Sequence, residues 1–248
     1  LNLKYQNKKK FDINKYLLAC EKDISQTDYF IKRGLLPTTI KKHRLGYDKV
    51  KNAVTIPYNG KMNYGQIRYI NEKKFWKPPT SDVGSEPIYN ENVINDKDDE
   101  PIFIVESPIC AMSIEQYNSK AIAICGGGGV SKLDKALKGK KTGNLGFILA
   151  LDNDEPGARY TNEFVAYFKS KRIKYAVCNI SDKEKDPNDL LKKSSEALVK
   201  NIVKARKEYF SKCTSYRDLT SAQEITSMTL KPVNWLLQYL FSTGLSII

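Results

Sequence analysis

The stretch "GFILALDNDEPG", residues 146–157, changes abruptly from apolar to acidic, and this change decides the fold class. Its apolar half has the length and composition of a buried β-strand. Asp152 and Asp154 follow the strand, and Pro156 and Gly157 then turn the chain toward a helix. Because residues two apart on extended backbone project to the same side, we expect both carboxylates to face one side of the sheet edge.

The neighbouring segments continue this alternation of strands and helices. The predicted strands are "PIFIVE", "AIAIC" and "KYAVCNI", and the predicted helices are "SPICAMSIEQYN", "VSKLDKALKG" and "EPGARYTNEFVAYFKSK". Such alternation predicts an α/β fold in which helices flank a parallel sheet. The preceding residues are basic and rich in tyrosine, so we expect them to form a separate α+β N-terminal subdomain.

Three segments are predicted: residues 1–98, 99–210 and 211–248. The first two are separated by "NENVINDKDDE", whose charged and turn-forming composition is typical of a solvated linker. The second ends in a long charged helix that reaches about Tyr209. The sequence starts at Leu1 rather than Met and stops at "FSTGLSII", so we expect it to be a piece of a longer chain.

The composition limits the classes of protein to consider. Five cysteines without a CxxC pair, together with a single histidine, predict neither a zinc site nor a disulfide framework. The sequence has no signal peptide pattern and no apolar run of the roughly 18 to 20 residues that a membrane span needs, so we expect a cytoplasmic protein without a membrane partner. The 41 Lys and Arg residues against 28 Asp and Glu give a net charge of +13, which suits a polyanionic partner.

Carboxylates are the candidate functional groups, because ligands of an open parallel sheet bind beyond the carboxyl ends of its strands. Glu106 follows the strand "IFIV", and "KDPNDLL" places Asp186 and Asp189 after another strand. Together with Asp152 and Asp154 they would repel one another unless a cation neutralised them, and oxygen ligands favour Mg²⁺ or Mn²⁺. Two such ions can assist phosphoryl transfer. The simpler alternatives are a helix N-cap for Asp154 and a solvated side chain for Glu106.

The order "IVES", "AICGGGG", "LALDNDEPG" and "KDPNDLL" resembles the TOPRIM domain, which bacterial-type primases, type IA and type II topoisomerases and some nucleases share. The resemblance covers roughly residues 100–195. It implies that four carboxylates bind one or two Mg²⁺ or Mn²⁺ ions, namely Glu106, Asp152, Asp154 and Asp186, and that the first three are catalytic. Two residues depart from the family pattern: Ser107 replaces the usual glycine, and Cys110 stands where an acidic residue is common.

The first hundred residues carry a second resemblance. "YFIKRGLLPTTIKKHRLGY", "TIPY", "GQIRYI" and "KKFWKPPTSDVGSEPIYN" resemble the N-terminal half of the primase RNA polymerase core, which lines the groove for template and nucleotides. The resemblance implies that Arg68 and Lys74 contact nucleic acid or nucleotide, and we expect Lys77 and Trp76 to join them. Aromatic side chains there can stack on unpaired bases. Alternatively, Phe75 and Trp76 are core residues.

The C-terminal segment "TSMTLKPVNWLLQYLFSTGLSII" resembles the connector and first strand that precede the nucleotide-binding loop of phage and plasmid primase-helicases. The loop motif GxxxxGKS/T does not occur in the sequence. The resemblance implies a replicative helicase domain in the same full-length chain, and an origin in a phage, plasmid or other mobile element. The alternative is a packing helix around Trp235.

Together these observations predict a DNA primase, a nucleotidyltransferase that joins ribonucleoside triphosphates into short RNA primers on a single-stranded DNA template. Two alternatives use the same residues differently. A TOPRIM nuclease would direct water at a phosphodiester, and a non-catalytic TOPRIM module would tether a helicase to DNA.

Overall fold

A computed structural model of the chain describes residues 11–60, 62–96, 98–140, 145–213, 234–237 and 241–243. The described residues up to Cys213 belong to one compact unit. In a second unit, β9 (Asn234–Leu237) and β10 (Phe241–Thr243) pair in antiparallel fashion, so Trp235 lies in a strand and not in a packing helix. Most of the predicted connector, residues 214–233, 238–240 and 244–248, lies outside the described residues.

The N-terminal part of the first unit is an antiparallel sheet with short helices, as expected. The helices are α1 (Ile13–Lys22), α2 (Tyr29–Lys32), α3 (Pro37–Lys42) and α4 (Thr80–Val83). The strands pair in chain order and are β1 (Gly46–Asp48), β2 (Ala53–Pro57), β3 (Gly65–Tyr69) and β4 (Phe75–Trp76).

The register of this sheet decides which side chains share a face. Arg68 on β3 lies opposite Val54 on β2 and Phe75 on β4, so these three side chains are on the same face. Val54 packs into the core that the sheet shares with the rest of the unit. Ile67 and Trp76 therefore lie on the other face.

The second sheet is parallel, as predicted. Its order is β6 (Lys120–Ala123), β5 (Ile102–Val105), β7 (Gly146–Leu149) and β8 (Lys174–Val177). The flanking helices are α5 (Pro108–Glu115), α6 (Gly129–Leu137), α7 (Glu155–Lys171), α8 (Pro187–Lys193) and α9 (Ser195–Cys213). The central strands β5 and β7 are buried on both faces, which explains their continuous apolar sequences. Among the described helices, none combines the length and the apolar character needed to span a bilayer.

Three loops at the carboxyl ends of the parallel strands begin the next helix in the same way. Each supplies an N-cap side chain followed by a proline in the first helical turn. The caps are Ser107 on α5, Asp154 on α7 and Asp186 on α8. This repeated arrangement fixes the conformation of the loops in which the predicted site residues lie.

The two sheets share one hydrophobic core, in which Val54 and Phe103 belong to the same cluster. Polar contacts also join the end of α2 to α8: Arg33 Nη1 donates to Asn188 Oδ1 at 3.2 Å, and Asn188 Nδ2 donates to the Arg33 carbonyl at 2.8 Å. The predicted solvated linker is wrong in one part, because residues Glu91–Asn95 form a 3-10 turn in which Ile94 is buried. Val93 packs against the same hydrophobic cluster, and the other residues of the segment are charged or polar, so the composition alone indicates a solvated linker.

Candidate active site

The structure brings Glu106, Asp152, Asp154 and Asp186 together at the carboxyl edge of the parallel sheet. Glu106 and Asp152 lie just beyond the adjacent strands β5 and β7. The Asp152 carboxylate interacts electrostatically with the other three. One oxygen of Asp152, one of Asp186 and the sulfur of Cys110 lie within 4.8 Å of one another.

Two partly buried carboxylates in this cluster have little compensating positive charge. Burial raises the pKa of Asp152 from 3.8 to about 7, and the charges of Glu106 and Asp186 reinforce the shift. Burial and the charge of Asp154 likewise raise the pKa of Glu106. Among the described residues, no group forms a hydrogen bond with the buried atoms Glu106 Oε1 and Asp152 Oδ1. Buried acceptors without a partner destabilise the fold, so these oxygens indicate a site for a ligand that is absent from the polypeptide.

The donor set fits a divalent cation. Carboxylate oxygens are the ligands of Mg²⁺ and Mn²⁺, and several of them converge here with both orphaned oxygens. A bound cation would stabilise the ionised forms that burial and mutual repulsion now disfavour.

Lys185 supplies a positive charge that the sequence analysis missed. Its Nζ lies 2.9 Å from Asp154 Oδ2 and 4.0 Å from Asp152 Oδ2. The hydrogen bond from Lys185, together with the amide of Gly157, holds the pKa of Asp154 below its ordinary value. The available signal was a lysine directly before Asp186 in "KEKDPND".

Asp154 combines the two roles that the sequence left open. Its Oδ1 accepts a hydrogen bond from the Gly157 amide at 3.0 Å and so caps α7. Its Oδ2 remains on the site beside Lys185. Asp186 caps α8 in the same way, with the amide of Asp189 as donor at 2.8 Å.

Asp189 itself forms ion pairs outside the cluster. Its Oδ1 lies 2.8 Å from Lys192 Nζ and 4.0 Å from Arg33 Nη1. Asp189 thus joins the start of α8 to the N-terminal part of the unit.

The loop between Asp152 and Asp154 is held rigidly. Asn153 Nδ2 donates to the carbonyl of Glu184 at 2.6 Å and to that of Asp182 at 3.2 Å. A β-carbon on Gly157 would lie 2.0 Å from the carbonyl oxygen of Asp152, so only glycine allows this close approach. The two aspartates are therefore presented in one fixed arrangement.

The predicted nucleic-acid residues occupy different places on the N-terminal sheet. The Arg68 guanidinium lies 4.8 Å from the centroid of the Phe75 ring, which is 48% exposed. Lys74, also exposed, lies with its Nζ 5.1 Å from the centroid of the Tyr69 ring. Arg68 and Phe75 thus form a cationic and aromatic pair on one face of β3 and β4, whereas Lys74 lies beside Tyr69, the residue after Arg68.

Trp76 is not part of that pair. It lies on the opposite face, where its ring makes an edge contact with Phe11 at 5.2 Å between centroids. The structure therefore does not bring Trp76 together with Arg68, and Phe75 takes the neighbouring position. Adjacent residues on a strand face opposite sides, so the sequence "FW" had to place one ring on each face.

Lys77 lies close to the carboxylate edge but its charge is paired. Its Nζ donates to the carbonyl of Cys125 at 2.9 Å, and the Cys125 amide donates to the carbonyl of Glu106 at 3.0 Å. Lys77 also pairs with Glu86, which accepts from Lys132 at 2.9 Å. Burial alone would raise the pKa of Glu86, but the hydrogen bonds from the two lysines outweigh it and lower that pKa.

Comparisons with known proteins agree with this geometry. The Toprim-like family matches residues 103–191, which include the parallel sheet and all four carboxylates. A search of curated protein sequences gave no significant match.

Solved primase structures share the fold. The Aquifex aeolicus primase with its zinc-binding and RNA polymerase domains is 16% identical at a TM-score of 0.60, over 77% of this chain and 59% of that one. A DnaG primase catalytic domain bound to single-stranded DNA is 17% identical at a TM-score of 0.59, over 79% and 76%. A bacteriophage T7 structure containing gp4 primase domains bound to an RNA/DNA hybrid and dTTP is 17% identical at 0.51, over 71% and 89%.

The chain thus spans about three fifths of the length of the Aquifex structure. At these identities the structural matches establish a shared fold. Residues 103–191 are a Toprim-like domain, in a chain that has the fold of the catalytic RNA polymerase domain of DnaG-type primases.

Proposed function

We propose that this chain is the catalytic part of a DNA primase, a nucleotidyltransferase that joins ribonucleoside triphosphates into short RNA primers on single-stranded DNA. The observation that carries the proposal is the pair of buried, unpartnered oxygens, Glu106 Oε1 and Asp152 Oδ1, at the carboxyl edge of the Toprim-like sheet. Such orphaned acceptors are expected where a fold keeps a site ready for a ligand.

The ligand that these groups fit is Mg²⁺ or Mn²⁺, as one or two ions. Glu106, Asp152, Asp154 and Asp186 would hold it. When bound, a divalent ion neutralises the charge that develops on the phosphate oxygens during phosphoryl transfer. Asp154 and Asp186 keep their oxygens in place by capping α7 and α8.

Lys185 has a role of its own in the proposal. In the absence of the ion, its ammonium group offsets part of the negative charge of Asp154 and Asp152. Its side chain is 58% exposed, so it can move away from the carboxylates. Once displaced, it becomes a cation at the edge of the site that can contact a triphosphate.

Template binding is assigned to the Arg68 and Phe75 pair on β3 and β4, with Lys74 beside Tyr69 as a further cation. Arginine and lysine contact phosphates, while the exposed Phe75 ring offers a stacking surface for an unpaired base. The net charge of +13 supports a nucleic-acid partner. In the DnaG structure with the shared fold, the catalytic domain is bound to single-stranded DNA.

The cellular setting is a further part of the proposal. A helicase domain in the same full-length chain, and a phage, plasmid or other mobile element as source, rest on the C-terminal sequence resemblance. The similarity to the T7 gp4 primase domains supports a phage-type protein. Expression of the complete open reading frame, followed by an assay of DNA-dependent ATP hydrolysis, tests for the helicase.

The direct test of the activity is primer synthesis on a mixed single-stranded template with labelled ribonucleotides and Mg²⁺ or Mn²⁺. We expect short RNA products from the unaltered chain and a loss of about a thousandfold or more in Asp152→Asn/Asp154→Asn. Asp182→Asn is the matched control, because Asp182 is an exposed acid in the neighbouring loop. It should retain full synthesis.

Two results would contradict the proposal. Shortening of the template without nucleotides would indicate a nuclease that uses the same carboxylates. Template binding without synthesis or cleavage, unchanged in the double variant, would indicate a non-catalytic tethering module.

A further inference from the structure

Cys110 lies beside the carboxylates, although a thiol is not a ligand that Mg²⁺ prefers. Its sulfur and one oxygen each of Asp152 and Asp186 lie within 4.8 Å of one another. Cys110 is 1% exposed, whereas both aspartates are partly open to solvent. An ion that enters between the aspartates therefore finds the sulfur on the buried side.

The sulfur is held in a defined position at the start of α5. Ser107 Oγ donates to Cys110 Sγ at 3.1 Å and accepts from the Cys110 amide at 3.3 Å. Burial, followed by the charge of Asp186, raises the pKa of the Cys110 thiol, so the sulfur becomes a thiolate only when a bound cation supplies the opposing charge.

Cys178 provides an internal comparison. It is also buried, and it belongs to the same hydrophobic cluster as Cys110. Its Sγ lies 4.0 Å from the carbonyl oxygen of Ala205, and the Glu208 carboxylate also interacts with it. Among the described residues, Cys178 is not part of a group of three possible metal ligands, whereas Asp152 and Asp186 both lie close to Cys110.

We infer that Cys110 is a metal ligand and that it shifts the preference of the centre from Mg²⁺ toward Mn²⁺ and toward softer ions such as Zn²⁺ and Cd²⁺. The inference rests on the proposed metal centre and adds a sulfur atom to its carboxylate ligands. Thiolate ligands select softer ions than oxygen ligands do. On binding, the S–H bond breaks, its proton leaves to solvent and the sulfur electron pair binds the ion, without any change of oxidation state.

The first experiment titrates Cd²⁺ into tag-free, metal-free protein and records the ultraviolet absorption of thiolate-to-cadmium charge transfer. We expect the band in the unaltered chain and in Cys178→Ser, and its loss in Cys110→Ser. The band should also weaken in Asp152→Asn, so the assignment does not depend on the folding of Cys110→Ser alone. A band that persists in Cys110→Ser, or that disappears in Cys178→Ser only, would overturn the inference.

The second experiment compares the dissociation constants of Mg²⁺ and Mn²⁺ by calorimetry. Replacing sulfur by oxygen in Cys110→Asp should shift the preference toward Mg²⁺ by about tenfold. An unchanged ratio would overturn the inference.

These results separate the two proposals. If the unaltered chain binds Mg²⁺ or Mn²⁺ but gives no charge-transfer band with Cd²⁺, the sulfur ligand is refuted and the carboxylate centre stands. If it binds none of the three ions, the proposed metal-dependent function is refuted with it.

Discussion

Two groups of partly buried charged residues, one around Glu86 and one around Asp152, differ in how their charges are compensated. Glu86 is held by Lys77, Lys132 and the Tyr58 hydroxyl, and its pKa is lowered. At the carboxylate edge, Asp152 faces other acids and its pKa is raised to about 7. One group is compensated by opposite charge, and the other is left with a surplus of negative charge.

The difference indicates which group is structural. Buried charges that are paired and hydrogen-bonded hold segments together, and Glu86 links the chain after α4 to α6 through Lys132. A surplus of like charge with orphaned oxygens weakens the fold, and such sites are typical of ligand binding and catalysis. We therefore assign the Glu86 group to stability and the Asp152 group to function.

The largest expected effect comes from disrupting the loop from Asp152 to Gly157, the acidic loop. In Gly157→Ala, the new β-carbon would clash with the Asp152 carbonyl oxygen at 2.0 Å. We expect the free energy of unfolding to fall by about 3 kcal/mol or more, and primer synthesis to be lost. Urea unfolding measures the first effect and the priming assay the second.

Gly127→Ala is the matched control for that variant. In the described part of the chain, no atom beyond the adjoining residues lies within 4 Å of the place that a β-carbon on Gly127 would take, and its φ is not positive. Its stability should change by no more than about 0.5 kcal/mol. Equal losses in the two glycine variants would show that the acidic loop is not specially constrained.

Removing the charge of Glu86 should have the next largest effect. In Glu86→Gln, Lys77 and Lys132 lose their carboxylate, and we expect a loss of about 2 kcal/mol in the free energy of unfolding at pH 7. Because the pKa of Glu86 is lowered in the folded state, this difference is fully present above pH 4.5 and vanishes as the pH falls through the lowered pKa.

The control for Glu86 is Glu208→Gln, which breaks the more exposed ion pair with Lys212. It should change stability by no more than about 0.5 kcal/mol. Urea unfolding from pH 3 to pH 8 compares both variants with the unaltered chain. A Glu86 difference that is as large below the lowered pKa as at pH 7 would contradict its assignment to charge.

Relieving the uncompensated group should stabilise the metal-free chain. Asp152→Asn removes one of the repelling charges. We therefore expect the free energy of unfolding of the metal-free chain to rise by about 2 kcal/mol at pH 8. The raised pKa means that folded Asp152 binds its proton more tightly than the unfolded chain does. The gain is therefore absent below pH 3.8 and grows as the pH rises to about 7.

Urea unfolding in the presence of a chelator, at a series of pH values, measures this gain in the free energy of unfolding. Asp182→Asn is the control at an exposed position. Destabilisation by Asp152→Asn across the whole pH range would show that the carboxylate is compensated after all.

The smallest expected effect concerns Lys185. Replacement by methionine removes the cation beside Asp154 and Asp152, and should lower metal-free stability by about 0.5 kcal/mol, because the pair is largely exposed. The same change should tighten Mn²⁺ binding, since the lysine no longer competes with the ion. Urea unfolding measures the stability and calorimetry the Mn²⁺ affinity, each with Lys183→Met as the control at another exposed lysine. Equal Mn²⁺ affinities of the two variants would refute the competition.

Much of the parallel sheet was predictable, because its central strands are buried on both faces and read as unbroken apolar runs. The carboxylates were predictable for a related reason, since the ends of parallel strands meet at one edge. The buried Ile94 was not, because the segment around Val93 and Ile94 is otherwise charged or polar and only the tertiary fold shows their contacts.

Contacts between distant residues also escaped the sequence. Glu86 and Lys132 are 46 residues apart, and no local pattern pairs them. Lys185 stands directly before Asp186 in the sequence, but its contact with Asp154 depends on the fold of the loop. The roles of Phe75 and Trp76 depended on which face each ring would occupy, and that was decided by the register of β3 and β4.

The central claim is that the uncompensated carboxylates are a divalent-metal site, and thermal unfolding with and without Mn²⁺ tests it most directly. An ion that binds only the folded state raises Tm. We predict this rise in the unaltered chain and in Glu86→Gln, and its absence in Asp152→Asn/Asp154→Asn. No rise in the unaltered chain, or an equal rise in all three, would contradict the claim.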